Sequence, residues 1–195
     1  MTPVSAMKKQ TGEWVALMGN PNSGKTALFN LLTGLNQKVY NYHGITVERK
    51  MGRAVLNDQC QVQVLDLPGT YSLTPESFDE RIASEEILSW LHGPDRPRVL
   101  ISVVDASNLE RNLYLTSQLL DLNIPVIAAL NMMDLVKQNG NPVAPKKLCE
   151  ALGTAEVLHM SARKNWGVEE LKEVIAQVIN EPVHGKPDLP FPLSG

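Results

Sequence analysis

Apolar runs and helical spacings alternate along the chain. Trp14–Met18 (WVALM) is a short unbroken apolar run, as expected of a buried strand. After a glycine-rich loop, Ala27–Leu32 continues as a helix. Thr46–Leu56 and Cys60–Leu65 read as two strands joined by a hairpin turn at Asn57-Asp58-Gln59. In the second of these, Gln61 and Gln63 alternate with Val62 and Val64, the pattern of a half-exposed strand. Phe78–Leu91 places Ile82, Leu88 and Leu91 at helical spacing and stops at Gly93-Pro94. Val99–Val104 and Pro125–Leu130 are continuous apolar runs typical of central parallel strands. Leu109–Leu122 is helical, Pro145–Leu152 is a short helix ended by Gly153, and Ala155–Met160 is the last strand. Val168–Ile179 closes the pattern as an amphipathic helix carrying Leu171, Val174, Ile175 and Val178.

Strand followed by helix, repeated along the chain, implies an α/β fold with helices on both faces of a mostly parallel sheet. The antiparallel pair within 46–65 makes this six-stranded sheet mixed. Residues 1–12 read as an N-terminal tail and 13–180 as one domain. Residues 181–195 are rich in proline and without periodicity, and read as a linker or disordered tail.

Charge and cysteine usage narrow the function classes. Eighteen Lys and Arg face 21 Asp and Glu, a net charge of −3 that argues against coating nucleic acid by charge alone. No apolar run is long enough to span a bilayer, and the N-terminus has no apolar core of a secretory signal. Cys60 and Cys149 lie far apart without a CxxC partner. They are expected to be reduced, mostly buried thiols of a cytosolic domain, neither a disulfide framework nor a zinc ribbon.

The chemistry begins at Gly19-Asn20-Pro21-Asn22-Ser23-Gly24-Lys25-Thr26, a full match to G-x-x-x-x-G-K-[ST] between an apolar strand and a helix. Such a phosphate loop wraps a polyphosphate with inward N–H groups, aided by the positive end of the helix that starts near Ala27. Lys25 can reach β- and γ-phosphates, and the Thr26 hydroxyl can ligate Mg²⁺.

Three further stations follow in order. Thr46, in the loop Asn41-Tyr42-His43-Gly44-Ile45-Thr46, is a candidate second hydroxyl ligand for Mg²⁺, with Gly44 allowing close backbone approach to a γ-phosphate. Asp66-Leu67-Pro68-Gly69 follows a strand end, where the carboxylate can hold Mg²⁺ through a water and the Gly69 N–H can meet the γ-phosphate. Asn131-Met132-Met133-Asp134 follows the strand 125–130, at the edge where α/β folds bind ligands. A carboxylate at Asp134 accepts both N1–H and the 2-amino hydrogens of guanine, a donor pair that adenine lacks. The same stretch is also what an N-cap pair opening a helix looks like. Ser161-Ala162-Arg163, after the last strand, can offer a backbone N–H to the guanine O6.

The ordered set GNPNSGKT, Thr46, DLPG, NMMD and SAR resembles the translation-factor-like small GTPases, whose fold is the Ras-like G domain of the P-loop NTPases. The finer resemblance is to the N-terminal G domain of the bacterial ferrous-iron transport protein B. It is carried by GNPNSGKT followed by LFN and LTG, by NYHGITVERKMG, by DLPGTYSLTPES and by NMMD, where most small GTPases have Lys at the second position. The chain departs from the family at Tyr42-His43, where Trp-Pro is common.

The resemblance implies a slow GTP hydrolase that acts as a switch for Fe²⁺ uptake through an attached membrane region on the cytoplasmic side of a bacterial inner membrane. It implies Mg²⁺ and also K⁺, with Asn22 ligating the latter. Lys25, Asn22, Thr46 and Gly69 would then be the catalytic set. The nucleotide would be held by residues 19–27, Gly44 to Thr46, Asp66 to Gly69, Asn131, Met132, Asp134 and Ser161 to Arg163. Thr70 stands where Ras-type enzymes place a water-orienting Gln. Two other readings stay open: a nucleotide-sensing module with incidental turnover, and a ribosome- or RNA-associated GTPase.

Overall fold

The computed structural model describes residues 13–35, 37–41, 48–75, 77–92, 96–139 and 144–180. Among these residues, seven strands and six α-helices follow in chain order: β1 (Trp14–Gly19), α1 (Lys25–Thr33), β2 (Gln37–Asn41), β3 (Glu48–Asn57), β4 (Cys60–Asp66), α2 (Phe78–His92), β5 (Val99–Asp105), α3 (Leu109–Leu120), β6 (Val126–Asn131), α4 (Met133–Asn139), α5 (Pro145–Leu152), β7 (Glu156–His159) and α6 (Val168–Asn180). The strands form one sheet in the order β2-β3-β4-β1-β5-β6-β7. β1 lies parallel between β4 and β5, and β5, β6 and β7 continue in parallel. β3 is antiparallel to both β2 and β4.

The expected six strands are corrected to seven. Among the described residues the added strand, β2, is an edge strand paired only with β3. An edge strand needs no doubly buried face, so Gln37–Asn41 carries no apolar run to betray it. A second addition is α4, which starts at Met133, so the NMMD stretch both ends β6 and opens a helix. The hairpin turn stands as expected, with the Asn57 Oδ1 accepting the Gln59 N–H at 3.0 Å. Both cysteines are free, but each is only partly buried, which corrects the expectation of mostly buried thiols.

Strand alternation sorts the core into layers on either side of the sheet. Val15 and Leu17 of β1, with Val62, Val64, Val99 and Ile101, pack against Leu28, Phe29 and Leu32 of α1 and Leu171 and Ile175 of α6. Ala16 and Met18 face the other way with Leu65 and Leu100, onto Ile87 and Trp90 of α2 and Leu115 and Leu119 of α3. Burying a side chain such as Leu119 contributes roughly 1.5–3 kcal/mol, so the helices are fixed firmly against the sheet. The loops leaving β1, β4, β6 and β7 therefore gather at the carboxyl edge.

Candidate functional site

The phosphate loop bridges the end of β1 and the start of α1. Gly24 has φ of +86°, a left-handed conformation that L side chains rarely adopt. A Cβ there would also strike the amide nitrogen of Asn131. Asn22 is likewise left-handed, with φ of 65°, and asparagine is among the few side chains that tolerate it. Pro21, Asn22, Thr26 and Ala27 are exposed, whereas Asn20, Ser23 and Lys25 are buried. The loop is closed beneath by the Ser23 N–H donating to the Asn20 carbonyl at 3.2 Å.

Lys25 points to the end of β4. Its ammonium forms a buried ion pair with the Asp66 carboxylate. Leu67 follows, with its N–H on the Leu17 carbonyl, and Gly69 packs so closely that an added Cβ would lie 3.0 Å from the Pro21 nitrogen. The turn Asp66-Leu67-Pro68-Gly69 thus sits directly against the phosphate loop. Thr70 is fully buried, its N–H on the Gly19 carbonyl at 3.2 Å and its hydroxyl donating to the Ser72 carbonyl at 2.6 Å.

The third wall comes from β6 and β7. Asn131 is 3% exposed and acts as a clamp. Its Nδ2 donates to the Ser23 carbonyl at 2.9 Å, and its Oδ1 accepts the Ala162 N–H at 2.8 Å. It therefore fastens the phosphate loop to the 161–163 loop, which lies far away in sequence. Met132, next in the chain, has φ of 62°. Asp134 accepts a hydrogen bond from the Ser161 hydroxyl at 2.7 Å. That bond, its own backbone N–H and the nearby charges of Arg163 and Lys164 hold the carboxyl below its ordinary value of 3.8, partly opposed by desolvation. Ser161 in turn accepts the Lys164 N–H at 3.3 Å.

Asp134, Ser161, Lys164 and Trp166 line a cleft of about 270 Å³. Lys164 and Trp166 belong to no local motif and are not among the residues singled out in the sequence. Their place follows from the Ser161–Trp166 bridge, in which the Ser161 N–H donates to the Trp166 carbonyl at 3.0 Å and the Trp166 N–H to the Ser161 carbonyl at 3.1 Å. Arg163 is exposed beside them. The loops after β1, β4, β6 and β7 thus bring Gly19 to Ala27, Asp66 to Gly69, Asn131, Met132 and Asp134, and Ser161 to Arg163 to one edge. Gly44, Ile45 and Thr46 lie outside the described residues.

The oxygen donors fit a hard divalent cation. The Thr26 hydroxyl opens α1 on the exposed side of the loop, and the Asp66 carboxylate ends β4, already matched to a positive charge. The Asn22 side chain is exposed at the loop surface and makes no hydrogen bond to another described residue.

Comparisons with known proteins point to one family. A family model described as "Ferrous iron transport protein B" matches residues 13–175. The Fe(2+) transporter FeoB of Salmonella typhimurium is 51% identical over 173 residues, which are 87% of this chain and 21% of that protein. The Fe(2+) transporter FeoB of Escherichia coli strain K12 is 50% identical over the same extents. The chain thus spans about a fifth of the length of these curated relatives. Among solved structures, a GDP-bound variant of the S. thermophilus FeoB G-domain has a TM-score of 0.77 and 44% identity, covering 93% of this chain and 65% of that one. The cytosolic domain of the T. maritima FeoB iron transporter in its apo form has a TM-score of 0.79 and 38% identity, covering 87% of this chain and 65% of that one.

Proposed function

The chain belongs to the ferrous iron transport protein B family, and from that premise we propose that it is a GTP-binding, slowly GTP-hydrolysing switch domain. Its parent would be a transporter of Fe²⁺ in a bacterial inner membrane, with residues 13–180 as the G domain on the cytoplasmic side. Among the described residues no helix is long and apolar enough to cross a membrane, so the iron path would lie in the transmembrane region of the parent.

The observation that carries this reading is the Asn131 clamp with Asp134 beside it. A carboxylate held ionised by Ser161 accepts the guanine N1–H and 2-amino group together. The Ala162 N–H donates to Asn131 Oδ1, so it fastens the 161–163 loop beside Asp134 rather than standing free for the guanine O6. The phosphate loop N–H groups and Lys25 bind the phosphates, and binding draws Lys25 away from Asp66. Asp66, Thr26 and Thr46 would hold Mg²⁺, and Asn22 would hold K⁺. Held there, these cations would supply positive charge to the triphosphate during hydrolysis. Loss of γ-phosphate contacts at residues 38–48 and 67–80 would constitute the switch.

Met132 covers the base with apolar contact where most relatives in the superfamily use a lysine stem. Modest affinity and quick GDP release follow, and a GDP dissociation half-time of hours would count against this. A second reading, a nucleotide-sensing module, is favoured by Thr70, whose buried and internally bonded hydroxyl is not available to orient water.

GTP turnover by this chain in KCl and in NaCl at equal ionic strength, with Mg²⁺, separates the two. Strong stimulation by K⁺ supports the hydrolase with Asn22 as cation ligand. Binding without turnover in either salt selects the sensing module.

A further inference from the structure

Residues 70–73, just after the Asp66–Gly69 turn, are fastened from three directions. The Thr70 N–H ties them to the Gly19 carbonyl at the end of β1. The Tyr71 N–H donates to Glu80 Oε1 of α2 at 3.2 Å. The third side is α3. There the Arg111 guanidinium lies over the Tyr71 ring, 4.1 Å from its centroid, and Gln118 Oε1 accepts the Leu73 N–H at 2.8 Å. Arg111 and Gln118 are about two helical turns apart and share one face of α3.

Arg111 also reaches the phosphate loop. Its carbonyl oxygen accepts the Asn20 Nδ2 at 3.4 Å, and Asn20 is 2% exposed. One residue of α3 therefore touches both loops that would flank a terminal phosphate. The Thr70 side chain is committed to the Ser72 carbonyl, so within this turn it is the main chain after Gly69 that can meet an attacking water. Where that main chain lies is decided by what it is fastened to, and small misplacements of reacting groups cost turnover steeply.

We propose that Arg111 is a positioning residue for hydrolysis: by stacking on Tyr71 and accepting from Asn20 it holds residues 70–73 in register with the phosphate loop, and so sets turnover of bound GTP while leaving nucleotide affinity unchanged. This rests on reading the chain as a GTP hydrolase. Affinity stays because the Arg111 side chain touches neither the Asn131 clamp nor Asp134, and the carbonyl that meets Asn20 survives any substitution.

The test is single-turnover hydrolysis and GDP binding by the whole chain carrying Arg111→Ala, Arg111→Lys, Tyr71→Ala, Tyr71→Phe, or Arg111→Ala with Tyr71→Ala. Arg111→Ala and Tyr71→Ala should each slow turnover about fivefold, with the GDP Kd within about twofold of the parent. Arg111→Lys and Tyr71→Phe keep a cation and a ring and should retain most of the rate. The double variant should be no slower than the slower single variant, because the two residues act as one contact. An unchanged rate in Arg111→Ala, a matching loss of GDP affinity, or a double variant whose loss is the product of the singles would overturn the proposal. A parent that binds GTP but never hydrolyses it would instead sink the hydrolase reading. In that case amide hydrogen exchange over residues 69–75 reads the fastening alone: faster exchange in Arg111→Ala supports it, and unchanged exchange refutes it.

Discussion

The Lys25 ammonium is ion-paired with the Asp66 carboxylate, the two side chains being 9% and 5% exposed. The pair joins the first turn of α1 to the last residue of β4. A phosphate would compete for the lysine and a divalent cation for the carboxylate, so the charge each loses is replaced by the charge each gains. Removing one partner leaves the other buried and unmatched, which costs about 3 kcal/mol at the lower end of such effects. Asp66→Asn and Lys25→Ala should each destabilise the nucleotide-free protein by that order. The double variant should lose clearly less than the sum of the singles. Urea unfolding of the four proteins measures this, and strict additivity would mean the pair contributes nothing.

Asn131 joins two loops through one amide group. Asn131→Ala would leave both the Ser23 carbonyl and the Ala162 N–H without their partner, in a region closed to water. At roughly 1–3 kcal/mol for each unsatisfied buried group, the loss should be about 2–6 kcal/mol. Asn131→Asp keeps the acceptor for Ala162 but loses the donor to Ser23 and buries a charge. It should therefore rescue neither stability nor GDP binding. Thermal unfolding with and without GDP distinguishes the outcomes, and near-parental stability in Asn131→Ala would show that the clamp is dispensable.

The Asp134 carboxyl sits below its ordinary value chiefly because the Ser161 hydroxyl donates to it. For a carboxyl depressed in the fold, the stabilisation is present above the unfolded value and is lost as pH falls through the folded one. The Asp134 contribution to GDP affinity should therefore be constant at and above neutral pH and decline only below the ordinary carboxylate range. Ser161→Ala should move that decline to higher pH. Asp134→Asn replaces a double acceptor with an amide that donates to an oxygen at C2. It should weaken GDP binding by about a hundredfold and favour xanthosine diphosphate. Competition binding across pH checks both, and a decline beginning near neutrality would mean that another group controls recognition.

The chain's period and punctuation made most of this fold legible. Unbroken runs such as Val99–Val104 can only be central strands when helices flank them. The phosphate loop was legible because its chemistry demands a fixed local spacing. β2 was not, since an edge strand such as Gln37–Asn41 satisfies its burial with little apolar content. Contacts between distant residues leave no local trace either. Asn131 reaches Ser23 across the sheet edge, and Arg111 reaches Tyr71 from another helix. Topology alone creates such neighbours, so the clamp and the α3 fastening appear only once β1, β5 and β6 are side by side.

Trp166 offers a direct report of nucleotide occupancy. The chain has three tryptophans. Trp14 and Trp90 pack edge to face, with ring centroids 5.4 Å apart, at the start of β1 and so at the sheet edge opposite the phosphate loop. Trp166 is 41% exposed and lines the cleft with Asp134 and Ser161. An indole at the cleft is sensitive to an aromatic base that enters it and displaces water, whereas the Trp14–Trp90 pair is shielded by the core. GDP titration should change the tryptophan emission of the parent, and Trp166→Phe should abolish that change while still binding GDP. Trp90→Phe should preserve it. A full response remaining in Trp166→Phe would place the base away from this cleft.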